Sequence, residues 1–148
     1  MKKIYIGADH GGFDLKSELC EYLTTTFVEF EDIGVYNTDS VDYPDIATKV
    51  CKMVDSDPNS LGVLMCGTGI GISIAANKHR NIRAALCSDT YSARMARAHN
   101  DSNVLCMGGR VVGSELAKDI LSTFLKSEFE GGRHKRRIDK ISELENNI

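Results

Sequence analysis

Short β-branched runs alternate with longer amphipathic ones along the chain. Lys3–Ala8 (KIYIGA) predicts a first strand, and Phe13–Thr24 a helix marked by Phe13, Leu15, Leu19 and Leu23, with Cys20 and Tyr22 blurring its face. Phe27–Gly34 predicts a second strand of weak alternation. After the turn residues Asn37–Ser40 a helix starts near Pro44, an allowed first-turn position, and runs through Ile46, Val50, Met53 and Val54. Leu61–Cys66 is a near-continuous apolar run, as expected of a parallel strand buried on both faces. Gly69–Asn77 then turns helical, and Arg83–Cys87 predicts a fourth strand. Thr90–Ala98 reads as a short helix that Ser88, Asp89 or Thr90 can cap. Asn103–Met107 predicts a fifth strand, and Ser114–Lys126 a helix with Leu116, Ile120, Leu121, Phe124 and Leu125 inward. Glu130-Gly131-Gly132 is the candidate hinge, after which the basic stretch Arg133–Arg137 opens a last helix.

Strands alternating with helices predict an α/β fold: a three-layer αβα sandwich on a five-stranded parallel, Rossmann-like sheet, plus a C-terminal helix. The 148 residues suit one domain, 1–148, and no repeat or linker interrupts them. The apolar fraction is 42% and the charged fraction 26%, which excludes wholesale disorder. A net charge of −3 argues against a dedicated nucleic-acid binder. No apolar run approaches the ~20 residues of a membrane span. The two lysines at the start precede no apolar export segment, so the expected location is cytoplasmic. Five cysteines, an odd count, read as free thiols, and neither they nor the four histidines show metal-ligand spacing, so no metal is expected.

In such sheets ligands bind beyond the carboxyl ends of the strands. Three ends stand out: Asp9-His10-Gly11-Gly12, Cys66-Gly67-Thr68-Gly69-Ile70-Gly71 and Gly108-Gly109-Arg110. The Cys66 segment is the strongest signal. Its alternating glycines before a helix make a loop whose N–H groups can face an anion, and a cysteine there tends toward thiolate. A buried cysteine beside a tight turn is the plainer reading of Cys66 alone; the glycine loop and Thr68 tip it toward chemistry. The glycine spacing and its place after the third strand support dinucleotide binding weakly. A phosphocysteine loop wants an arginine six residues on, where Ile72 stands. Proton transfer at carbon remains, with a thiolate base and N–H donors for an enediolate. Arg133 and Arg137, four apart, share a helix face suited to a phosphate or to plain solvation. Asp9-His10 and His99-Asn100 fit a polar turn and a helix end as well as a site. Cys20, Cys51, Cys87 and Cys106 read as packing residues, and His79 as a helix-end surface residue.

Gly7–Gly12, Val41-Asp42-Tyr43-Pro44, Cys66–Lys78, His99-Asn100-Asp101 and Glu130-Gly131-Gly132-Arg133-His134 together resemble the type B ribose-5-phosphate isomerases, over nearly the whole chain. The wider family also holds allose-6-phosphate and galactose-6-phosphate isomerases. The resemblance implies interconversion of ribose 5-phosphate and ribulose 5-phosphate through a cis-enediolate, without a cofactor. It makes Cys66 the base, Thr68 its assisting hydroxyl, and the amides of Gly67, Gly69, Ile70 and Gly71 the enediolate pocket. It makes His99 the ring-opening group, helped by Asp9, and Tyr43 and Asn100 substrate-orienting residues. His10, Arg110, Arg133 and Arg137 become the phosphate site. The five- or six-carbon preference stays open, as does a non-catalytic sugar-phosphate binding protein on the same scaffold.

The Thr90–Ala98 helix starts at the carboxyl end of its strand and runs back about 14 Å at ~1.5 Å per residue. His99 is thereby expected at the amino edge, far from Cys66 of its own chain, and Arg133 and Arg137 likewise. A single site using all of them needs a second subunit, which predicts a two-fold homodimer with two shared sites. Whether dimers pair into tetramers is left open.

Overall fold

The computed structural model describes residues 2–148. Five parallel strands, β1 (Lys3–Ala8), β2 (Phe30–Gly34), β3 (Ser60–Cys66), β4 (Ala84–Leu86) and β5 (Val104–Gly108), form one sheet in the order β2-β1-β3-β5-β4. The helices are α1 (Phe13–Thr25), α2 (Tyr43–Ser56), α3 (Ile70–Ala76), α4 (Thr90–Ala98), α5 (Ser114–Lys126) and α6 (Arg133–Leu144). No described helix is long and apolar enough to cross a membrane.

Alternation along the strands divides the core into two layers. Ile4, Ile6, Leu61, Val63, Met65, Leu105 and Met107 point toward α1, α4 and α5, where Leu15, Leu19, Leu23, Ala93, Ile120 and Phe124 meet them. Tyr5, Leu64, Cys66, Val104 and Cys106 point the other way, toward Ile46, Val50 and Val54 of α2 and Ile72 and Ala76 of α3. The expected sandwich is thus present. Asp89 caps α4 by accepting from the Ser92 N–H at 2.6 Å.

Several boundaries differ from the sequence reading. Phe27 lies outside β2: it sits at φ 59° in a turn, 95% exposed, while Val28 alone tucks into the core. β4 keeps only Ala84–Leu86, because the Arg83 N–H is bound by the Asn103 side chain and the ladder closes after Leu86. Leu116 is exposed rather than inward. His79 is half-buried, its Nε2 3.1 Å from the Thr48 hydroxyl, so it ties the end of α3 to α2 instead of standing free.

Candidate active site

The carboxyl ends of the three central strands carry the loops singled out by the sequence, and those loops interlock. A Cβ on Gly11 would stand 2.8 Å from the Gly67 nitrogen, and one on Gly109 2.6 Å from the Gly11 carbonyl oxygen. The order in which strands are added reverses between β1 and β3, the neighbouring connections leaving for opposite sides, and that is where an open parallel sheet leaves a crevice. Here that crevice is a cleft of about 930 Å³ walled by the β1 and β3 loops and by the 40–45 segment that leads into α2.

Cys66, the last residue of β3, lies at its base, 5% exposed. Its Sγ accepts the Gly69 N–H at 3.1 Å, so a donor stands where charge on sulfur would develop. Gly69 reaches that position with φ +80°, as the residue before α3; a Cβ there would fall 2.6 Å from Leu86 Cδ1 and 2.7 Å from the Met107 carbonyl carbon. The next amide, Ile70 N–H, donates to Thr68 Oγ1 at 3.2 Å. Two amides of the expected enediolate pocket are therefore engaged within the loop, one on the thiol and one on the assisting hydroxyl.

The other four thiols do not line the cleft. Burial pushes Cys20 and Cys87 up to about 11, Asp32 and Asp89 adding to it respectively, and pushes Cys51 up to about 12. Cys106, enclosed in the core, is also raised, by burial first. These four stay protonated packing groups, as expected of them.

Asp9 is buried, and its Oδ1 accepts the Gly11 N–H at 2.8 Å and the Gly12 N–H at 3.2 Å. One oxygen thus shapes the β1 loop while the carboxylate lines the cleft. His10 Nδ1 accepts the Val41 N–H at 3.3 Å. In the neutral ring that bond leaves the proton on Nε2, making His10 a donor to whatever it faces. Tyr43 covers Gly71 closely: a Cβ on that glycine would lie 2.5 Å from Tyr43 Cζ. Arg110 folds over Gly67, its Nη1 3.1 Å from where that residue's Cβ would be. Ser40, Asp42 and Asp45 also line the cleft and were given no role from sequence; Asp42 stands within the Val41–Pro44 motif, and Ser40 and Asp45 flank it.

His99, Asn100, Arg133 and Arg137 do not line this cleft. His99 ends α4 and lies beside Glu130 and His134. Asn100 borders a separate cavity with Arg83 and Ala84 at the amino end of β4. Arg133 and Arg137 are exposed on α6. The structure therefore gathers Asp9, His10, Tyr43, Cys66, Gly67, Thr68, Ile70 and Gly71 around one cleft, with Gly69 and Arg110 packed on its loop, and leaves the other four elsewhere on the chain.

The sequence model described as Ribose/Galactose Isomerase matches residues 4–141. Ribose-5-phosphate isomerase B of Escherichia coli is 49% identical over 145 residues, covering 98% of this chain and 97% of that protein. The structure of the Clostridium thermocellum ribose-5-phosphate isomerase B superposes with a TM-score of 0.96 at 52% identity, covering 98% of each chain. The type B ribose 5-phosphate isomerase of Trypanosoma cruzi gives 0.94 at 43% identity, covering 99% of this chain and all (100%) of that one.

Proposed function

The chain belongs to the ribose/galactose isomerase family, and from that premise we propose that it interconverts D-ribose 5-phosphate and D-ribulose 5-phosphate through a cis-enediolate. The observation that carries this reading is the placement of one thiol, Cys66, at the base of the cleft with the Gly69 N–H 3.1 Å from its sulfur.

The cleft suggests how the work is divided. The Cys66 thiolate takes the C2 proton of the open-chain aldose and returns it at C1. Thr68 lends its hydroxyl to proton movement between the two oxygens, and the loop amides left free by the internal bonds hold the enediolate. The hydrogen moves between carbons of one molecule, so the reaction balances without oxidant, reductant or cofactor. His10 offers its Nε2–H to a substrate oxygen, Tyr43 bounds the sugar, and Arg110 brings positive charge over Gly67. Ring opening precedes all this. His99 serves it, with Asp9 on the ring oxygen or hydroxyls, while Asn100 orients the sugar and Arg133 and Arg137 clamp the phosphate. Those four lie off the cleft of their own chain, so we assign them to the cleft of a second copy, in a two-fold homodimer. Five free thiols suit a reducing, cytoplasmic setting.

Cys66→Ala tests the reading. In heavy water, followed by NMR, the substitution should cut both isomerisation and C2-proton exchange by ~10²–10⁴-fold, with phosphate-ester binding retained. Near-normal turnover would make Cys66 a packing residue. A panel of five- and six-carbon aldose phosphates in the same assay fixes the sugar length.

A further inference from the structure

His134 has no part in the mechanism above, yet its ring lies face to face with that of His99, centroids 4.1 Å apart and planes 10° from parallel. We propose that His134 is a positioning residue for ring opening, holding the His99 imidazole in its working plane by stacking and sharing the Glu130 carboxylate with it. This rests on the reading of His99 as the ring-opening group.

The contact is built by the turn before α6. Glu130 donates its N–H to the Ala98 carbonyl at 3.0 Å, pinning the turn to the end of α4. Gly131 and Gly132 then reverse the chain at φ +70° and +59°, conformations that side chains resist. That reversal sets His134 in the first turn of α6, buried, against a His99 side chain that is 38% exposed. Glu130 Oε1 stands 3.7 Å from His99 Nε2 and 3.6 Å from His134 Nε2. One carboxylate between two imidazoles balances one added proton; two would repel at this spacing. Burial first, then His99 and Arg133, with Arg137 adding and Glu130 opposing, lower the proton affinity of His134. It therefore remains a neutral, flat partner near pH 7.

The three donor atoms lie within 4.8 Å of one another. Near-parallel rings send their nitrogen lone pairs side by side, whereas zinc needs them to converge on a point ~2.0–2.1 Å away. The arrangement suits stacking and proton sharing. It also couples two tasks, because α6 presents the phosphate-clamp arginines on either side of the residue that fixes His99.

The test compares His134→Ala, His134→Phe and His99→Asn in two assays. One follows conversion of the cyclic aldose phosphate. The other follows deuterium exchange at C1 of the ketose phosphate, which is open-chain because its 5-hydroxyl is esterified. His134→Ala should lose on the order of 10- to 100-fold in kcat on the cyclic aldose, the usual cost of a misplaced catalytic group, with exchange into the ketose within about twofold of the parent. His134→Phe, which keeps a flat ring, should recover most of the loss. Parallel loss in both assays, no loss in either, or a Phe variant no better than the Ala variant would overturn the proposal. The His99→Asn control separates the two ideas: if it keeps normal conversion of the cyclic aldose, the ring-opening reading fails and the proposal with it. If it loses conversion while His134→Ala does not, the proposal alone fails.

Discussion

Lys16 sits inside the protein, 2% exposed, with Nζ 2.7 Å from both carboxylate oxygens of Asp32. The ammonium also lies 5.5 Å from the ring centroids of Phe13 and Tyr36, a cage that covers its charge. Asp32 in turn accepts the Gly34 N–H at 2.9 Å, so the pair fixes the carboxyl end of β2. Removing one partner of a buried pair leaves a charge without compensation. Asp32 is 32% exposed, so water can replace part of what it gives. Asp32→Asn should therefore destabilise by about 2–3 kcal/mol, below the ~3–5 kcal/mol of a fully enclosed pair; urea unfolding checks it, and an unchanged midpoint would show that Lys16 finds another partner. Nothing in the α1 pattern announces this burial, since Lys16 follows Leu15 with no apolar spacing of its own. Cys66 was legible for the opposite reason: its strand, its glycines and Thr68 are neighbours in the chain, so local chemistry alone singles it out. The roles of Ser40, Asp42 and Asp45 in walling the cleft depend on where α2 packs, which no local pattern encodes.

Strands and helices follow the hydrophobic pattern closely where that pattern is long. α2 and α5 run where apolar residues recur at helical spacing, and β3 where the apolar run is continuous. Short runs mislead. Phe27 looks like the start of a strand because it is aromatic and stands beside Val28, yet tertiary packing buries only the valine and leaves the ring outside. The β3–α3 turn is the element on which the site depends most, since Gly69 aims its N–H at the thiol from a left-handed conformation against neighbouring backbone. Gly69→Ala should cost ~1–2 kcal/mol for the conformation alone, more with the contact at Met107, and lower turnover by about 10²-fold as the loop shifts. Thermal melts and steady-state rates measure the two effects. Full activity in a folded variant would show that the loop tolerates displacement and that the N–H to sulfur contact is dispensable.

Across the whole molecule, the residues read as one site fall into two places. Cys66, Thr68, Asp9, His10 and Tyr43 share the cleft, while His99 stands with Glu130 and His134 at the end of α4. The length of α4 foretold that separation, because a helix running back along the sheet carries its last residue to the far edge. The stacking of His99 on His134 was not legible, since 34 residues of chain separate the two rings. Ile70 and Ile74 of α3 and Leu86 of β4 remain exposed at 53%, 57% and 39%, more apolar surface near one cleft than isolated side chains would leave. In the dimer proposed above, this surface is the one a second copy covers as it brings its own His99 to the cleft. Subunit mixing tests this shared site most directly. Cys66→Ala and His99→Asn are each inactive on the cyclic aldose phosphate in this account. After mild dissociation and random re-pairing, half the dimers are mixed, and each holds one site with both lesions and one with neither. About a quarter of parental activity should then return. If mass spectrometry confirms mixed dimers and the mixture stays inactive, Cys66 and His99 act from the same chain and the shared site is contradicted.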